Sequence, residues 1–239
     1  METILREGLA MIAASDADAA AAFEDGTDRA GELLQKYIEE IERFNPAYGL
    51  VGTNDRRGLV IRHILDSLAP LGIIRRLLNR AGAGRAGAAA ASTAEAAPRI
   101  ADIGSGAGLP GIPLAISLPR CSFTLIERMG KRAGFLRGAV SALKLFNVSV
   151  EEAEMEKSPR GRFDLVVTRA FHPLEKKLLK KTLRLCREGG ALAAYKGRKE
   201  KIEREIEGLA QMNIQMDTVP CPVPFLDEER HLLVIRTLL

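Results

Sequence analysis

From residue 99 onward the apolar positions fall into short runs, separated by turn residues and alternating with stretches of helical spacing. Runs such as Phe123-Thr-Leu-Ile126 and Phe163-Asp-Leu-Val-Val-Thr168 have the length and composition of buried strands. The pattern predicts strands over 99–103, 122–126, 147–150, 163–168 and 191–196, and two closing strands near 213–219 and 231–238. Helices are predicted over 112–118, 131–145, 174–187 and 199–212, with Glu188-Gly-Gly190 as the turn into the fifth strand. Regular alternation of this kind is the mark of a doubly wound α/β sheet. The last strand follows a hairpin-like return, which predicts an antiparallel edge strand on a mostly parallel sheet.

Ahead of residue 99 the spacing is helical. Residues 1–24 are Ala-rich and acidic, and an arm of this kind is expected to dock weakly or fray. Leu33, Leu34, Tyr37, Ile38, Ile41 and Phe44 mark one face of a second helix, with Asp28 as its candidate cap and Asn45-Pro46 as its end. A loop to about Asp55 and a helix over 57–80 complete this part. Residues 79–98 are low in complexity, their alanines favouring a helix and their glycines a mobile loop. The chain therefore divides into a small helical N-terminal extension (1–78), an insertion or linker (79–98) and a sheet domain (99–239).

With 239 residues and 46% apolar content, one sizeable core is expected. The net charge of +4 is unevenly spread: residues 1–30 hold seven acids against Arg6 and Arg29, so the remainder carries +9. A basic body favours a polyanionic partner. Cys121, Cys186 and Cys221 are odd in number and widely spaced, which argues against a disulfide framework or a zinc site and fits a reducing cytoplasm. Neither a secretory leader nor an apolar run of the roughly 20 residues that a membrane helix needs is evident. A monomer is expected, since no coiled-coil seam occurs.

The chemistry concentrates in Arg99-Ile-Ala-Asp102-Ile-Gly104-Ser-Gly106-Ala-Gly108-Leu-Pro-Gly111-Ile-Pro113. A strand, a glycine-rich turn and a helix start in this order open a nucleotide-binding α/β unit. Gly106-x-Gly108-x-x-Gly111 has the literal form of a dinucleotide fingerprint, but the strand's first following glycine is Gly104, and Asp102 at its mouth repels a pyrophosphate. An anion there instead attracts the ammonium or sulfonium of S-adenosylmethionine. Glu127, at the end of the second strand, is placed to take both hydroxyls of a ribose.

Together with Arg62-His-Ile-Leu-Asp66-Ser-Leu68, Gly130-Lys-Arg-x-x-Phe-Leu136, Ala153-Glu154, Thr168-Arg169-Ala, Lys196-Gly197 and His231-Leu-Leu-Val-Ile-Arg236, this stretch resembles the glucose-inhibited division protein B family. These are bacterial 16S ribosomal RNA methyltransferases that modify N7 of one guanine in the decoding region of the small subunit. The resemblance covers residues 30–239. It implies a class I, Rossmann-like methyltransferase sheet of seven strands, with S-adenosylmethionine against Gly104, Leu109, Ala153, Glu154 and Arg169. In place of the family's usual Trp-Asn pair the second helix ends in Phe44-Asn45, and residue 127, often Asp, is Glu.

Methyl transfer is an in-line displacement, so the protein chiefly holds two reactants in line, and Arg169 is the candidate positioning residue. Residues 168–173 lack the Asn-Pro-Pro-aromatic motif of amine methyltransferases and a Cys that would add to a pyrimidine. Guanine N7 has a lone pair and no proton to lose, which suits a site without a base. His172 next to Pro173 is read as shaping a loop, and His63 with Asp66 as a brace between extension and sheet. Arg128, Lys131, Arg132 and Arg137, with Lys196, Arg198 and Lys199, are candidates for tracking RNA phosphates. Phe171 and Tyr195 are candidates for stacking on bases. Two other readings share the fold: a catalytically silent factor that binds ribosomal RNA, and a nicotinamide-dependent dehydrogenase, which Asp102 disfavours.

Overall fold

The computed structural model describes residues 2–53, 55–88, 97–169 and 175–237. Helices α1 (Glu2–Ser15), α2 (Ala17–Ala22) and α3 (Thr27–Tyr48) open the chain. Then α4 (Arg56–Leu59) runs through a π-helical stretch, Val60–Leu65, into α5 (Asp66–Leu68), and α6 (Leu71–Ala88) follows. The rest alternates: β1 (Arg99–Ile103), α7 (Gly111–Ser117), β2 (Ser122–Glu127), α8 (Gly130–Ala142), β3 (Val148–Glu152), β4 (Phe163–Arg169), α9 (Lys176–Leu183), β5 (Cys186–Lys196), α10 (Lys199–Glu207), β6 (Ile214–Pro220) and β7 (His231–Thr237).

The strands form one sheet in the order β3-β2-β1-β4-β5-β7-β6. Only β7 runs against the others, antiparallel to both β5 and β6. The antiparallel strand is therefore one place in from the margin rather than the edge itself. The hairpin return inserts the apolar His231–Thr237 strand beside β5 and leaves Ile214–Pro220 outside, where its Gln215 and Asp217 suit an exposed margin. The expected turn at Glu188–Gly190 is an irregularity inside β5: the register against β4 jumps from Phe163–Cys186 to Leu165–Ala191, with Gly189 at φ +72°.

Period-two alternation sends the two sides of each strand into different layers. Ile100, Phe123, Leu125 and Leu165 join an apolar cluster with α7, α8, α6 and the helical extension. Ala101, Ile126, Val166 and Leu192 join a second cluster with α9 and α10. The extension is thus continuous with one face of the sheet, sharing a core with it.

Three local expectations change. The helix predicted over 57–80 breaks at Ala69-Pro70, where proline has no N–H to continue the ladder. Helix α3 runs past Pro46 to Tyr48 and closes with Gly49 in the left-handed region, its N–H donating to the Asn45 carbonyl at 2.9 Å. Of the low-complexity stretch, residues 79–88 continue α6, since alanine outweighs the scattered glycines; residues 89–96 lie outside the described residues.

The acidic arm docks firmly. Leu5, Leu9 and Ile12 form one stripe of α1 and are each at most 3% exposed, while Arg6, Glu7, Ala10 and Met11 make up the outer face. Gly8 lets α1 approach Leu65 so closely that a Cβ would stand 2.5 Å from Leu65 Cδ1. The arm's acids turn inward: Asp16 caps α2 through Ala19 N–H and, with Asp18, pairs with Arg76, while Glu24 faces Arg75 and Arg120. Replacing Leu9 by Ala should lower stability by about 2–5 kcal/mol, whereas Met11→Ala, at an exposed position of the same helix, should be near neutral. Urea midpoints compare the two, and equal midpoints would mean that the arm is loosely held.

Candidate active site

The sheet order reverses at β1, whose neighbours are β2 and β4, and open α/β sheets take ligands outside the carboxyl ends of strands at such a point. There the chain leaves β1 through Gly104, Gly106 and Gly108, at φ +67°, +58° and +90°. These are left-handed conformations that a side chain would strain. The turn is clamped to the end of β2. Gly104 N–H donates to the Ile126 carbonyl at 2.9 Å, and Gly106 N–H to Glu127 Oε2 at 2.9 Å. The other oxygen of Glu127 accepts from Met129 N–H at 2.9 Å. From the extension, the buried Tyr37 hydroxyl donates to the Ala107 carbonyl at 2.5 Å.

A cleft of about 450 Å³ opens beside this turn, within the range of roughly 300–1,000 Å³ usual for small-ligand sites. Ile103, Ile126, Ala153 and Met155 supply its apolar wall; Gly104, Glu127, Glu154 and Arg169 also border it. The sequence singled out Gly104, Glu127, Ala153, Glu154 and Arg169, and all five meet here. Gly106 stands behind them in the turn, and Leu109 is buried in the core beneath. Arg128 and Arg132, expected to face RNA, line the same cleft, while Lys131 points to solvent.

Asp102 does not border the cleft. Its carboxylate is 1% exposed and turns under the glycine stretch, where Oδ2 accepts from Gly111 N–H at 3.0 Å. Its Oδ1 is buried without a hydrogen-bond partner among the described residues. Burial pushes the carboxyl up to about 7, against the lowering effects of the Gly111 hydrogen bond and the Arg169 charge. Asp102 thus supports the turn from below. A Cβ on Gly111 would come within 2.7 Å of Asp102 Oδ2 and 2.4 Å of Leu125 Cδ2, so only glycine permits this packing.

Arg169 ends β4 and is held by the extension. Its Nη1 donates to Asp66 Oδ2 at 3.2 Å, and its Nη2 lies 3.2 Å from His63 Nδ1. Asp66 also accepts from Arg230 Nε at 3.0 Å, and Arg230 in turn pairs with Glu228. Burial, with the charges of Arg169 and Arg62, lowers His63 to about 4; the neutral ring can accept from the guanidinium. His63 and Asp66 therefore brace extension to sheet, as their helical spacing suggests. Arg230 was not singled out from the sequence, because only the fold carries it 164 positions back to Asp66.

Beyond Arg169 lies a second, smaller cavity of about 210 Å³, bordered by Asp66, Tyr195, Lys196, Arg230 and His231. Arg169 belongs to the walls of both hollows. Lys196 is spent internally, its Nζ 2.6 Å from Glu205 Oε2, and Tyr195 donates to the Ser67 carbonyl at 2.7 Å. Neither stands free for phosphate or base on the outer surface. Arg198 and Lys199 are exposed at the start of α10, and Arg137 pairs with Glu152. Phe171 and His172 lie outside the described residues.

A family model described as rRNA small subunit methyltransferase G matches residues 86–233. The chain is 38% identical over 226 residues to the ribosomal RNA small subunit methyltransferase G of Treponema denticola, covering 89% of this chain and 88% of that one. It is 36% identical over 210 residues to the protein of the same description from Cellvibrio japonicus, covering 87% of each.

The buried carboxylate under the turn has a pH signature. Asp102 stays protonated in the folded chain up to about pH 7, whereas an unfolded Asp ionises near pH 4. The folded state then holds the extra proton between these values, so this group's contribution to stability falls as pH rises through that window. Asp102→Asn, which keeps an acceptor for Gly111 N–H, should become more stable relative to the parent at pH 8 than at pH 4.5. Paired urea titrations at the two pH values measure this, and a pH-independent difference would show that Asp102 is ionised throughout.

Proposed function

The chain belongs to the rRNA small subunit methyltransferase G family, and from that premise we propose that it methylates N7 of a guanine in the decoding region of 16S ribosomal RNA, in the cytoplasm, with S-adenosylmethionine as donor. The place of Arg169 carries this reading: one side chain at the switch point of the sheet borders both a cleft of cofactor size and a smaller hollow next to it.

The residues present fit the donor. A glycine turn that brings bare backbone to the cleft, an apolar wall for a flat heterocycle and the Glu127 carboxylate at the end of β2 match an adenosyl group. Gly104, Gly106, Glu127, Ala153 and Glu154 would hold it, with Leu109 and Asp102 supporting the turn from within. S-adenosylmethionine supplies a methyl carbon activated by a positively charged sulfur. What this chain adds is alignment. Arg169, fixed by Asp66 and His63, gives the junction of the two hollows a rigid wall.

N7 of guanine offers its lone pair in the ring plane and needs no base. This agrees with a junction whose ionisable groups are already engaged: His63 faces Arg169, and Asp66 is shared by two guanidiniums. The product ring is cationic, and the Glu127 carboxylate on the wall of the larger cleft offsets that charge. The exposed Arg128, Lys131 and Arg198 supply positive charge along the rim for phosphates.

The test is transfer of a labelled methyl group to small-subunit RNA. Label is expected in 7-methylguanine, and a transcript with 7-deazaguanine at the target, which has carbon in place of N7, should accept none. Label on that nucleotide would name another acceptor atom, and binding without any transfer would favour a silent RNA-binding factor. Arg169→Ala should keep its secondary structure, checked by circular dichroism, at reduced stability because Asp66 loses one of its two guanidiniums, and should lose about 100-fold in single-turnover rate, the usual scale for misplaced reactants. Turnover like that of the parent would make Arg169 a structural ion-pair partner only.

A further inference from the structure

A row of aromatic rings runs from α8 onto α3 and ends in an open face. Phe135 of α8 meets Phe44 of α3 edge-on, with centroids 5.9 Å apart and planes at 65°. Phe44 meets Tyr48 at 5.7 Å and 31°, one helical turn further along α3. Tyr48 is the outermost ring, 38% exposed, and no described aromatic ring lies beyond it. Arg43 packs its guanidinium over Phe44, 5.4 Å from the centroid.

One shared hollow and one ring contact place the outer end of this row. Leu33, near the start of α3, borders the same hollow as Leu143 and Phe146 just past the end of α8. Phe44, near the other end of α3, faces Phe135 on α8. The helices are therefore antiparallel. Tyr48, four residues or about 6 Å beyond Phe44, therefore lies toward the end of α8 that carries Lys131, four residues before Phe135. That is the end of α8 at which Arg128, Met129 and Arg132 border the cofactor cleft.

The ring is carried on a firm support. Gly49 closes α3, and Asn45 ties the following loop down, its Oδ1 accepting from Val51 N–H at 2.9 Å and its Nδ2 donating to the Thr53 carbonyl at 3.2 Å. Arg128 and Lys131 are exposed and make no ion pair among the described residues. An open aromatic face among free cations fits a partner with flat π-faces and regular negative charge. Phe146, 96% exposed, is the contrasting case: it lies past the far end of α8, away from the cleft.

We propose that Tyr48 is a stacking platform for an unpaired base of the RNA substrate, with Lys131 and Arg128 taking the adjoining phosphates. The proposal rests on the RNA-methylating reading and adds a contact outside the reaction centre, which holds the strand that leads to the target. Base–aromatic stacking is sequence-tolerant, because every base has a flat π-face.

The chain contains no tryptophan, so Tyr48→Trp creates a single fluorescent reporter at this position. Titration with a ten-nucleotide oligoadenylate should quench its emission, whereas inorganic polyphosphate should bind the rim without quenching. In steady-state kinetics Tyr48→Ala should raise KM for small-subunit RNA roughly tenfold with kcat little changed, and Tyr48→Phe should restore it. Lys131→Ala should lower the slope of log affinity against log salt by about 0.7 while leaving saturated quenching intact. Absence of oligoadenylate quenching, an unaltered KM for Tyr48→Ala, or failure of Tyr48→Phe to restore it would each overturn the platform. Failure of the parent chain to methylate RNA would strike the functional reading instead, and the quenching titration would still decide the platform.

Discussion

A carboxylate buried between two guanidiniums holds the active end of this molecule together. Asp66 has little contact with water and is reached by Arg169 from the end of β4 and by Arg230 from the residue before β7. Burying a charge without a partner is severely unfavourable, so none of these three groups can move far without exposing the others. Burial pushes the carboxyl of Asp66 upward while the two arginines pull it down. The network ties a helix of the extension to two separated strands and sets the direction of Arg169.

That constraint explains why the helical extension is more than an appendage. Leu34, Ile38, Ile64 and Leu68 belong to the same apolar cluster as Leu109, Ile112 and Leu136 of the sheet domain. Tyr37 reaches the backbone of the glycine turn itself. The π-helical stretch that carries His63 sits where the extension touches the site, a place where such irregularities tend to occur. The cleft is consequently built by two parts of the chain that are remote in sequence, and its shape depends on their shared core.

The uneven charge of the chain has a similar resolution. Three of the acids of the first thirty residues, Asp16, Asp18 and Glu24, are directed at Arg75, Arg76 and Arg120. Partly exposed pairs of this kind contribute little stability each, yet they neutralise basic side chains on the side of the molecule away from the cleft. Arg128, Lys131 and Arg198 keep their charge in solvent at the cleft's end of the sheet. The positive field is thereby concentrated where a polyanion is to be met.

Much of this was legible along the chain because it is encoded locally. Strand and helix periodicity and the glycines that must adopt positive φ are each properties of a few adjacent residues, whereas the cap expected at Asp28 falls inside the first turn of α3, which starts after Gly26. Hence the order of elements, the glycine turn and the place of Glu127 followed from the residues themselves, and the family resemblance added Ala153 and Arg169 to the same end of the sheet. Pairings between distant residues carry no such signal. Whether β7 lies at the margin or one place in, and that Arg230 closes on Asp66, were decided only by the packed sheet. The same holds for Asp102, which points away from the cleft because side chains on a strand alternate and its side faces α7. Lys196 looked free as a letter in a basic stretch, but Glu205 on the next helix claims it. Local chemistry chose the elements; burial of charge and close packing across the fold chose which side chains were left for function.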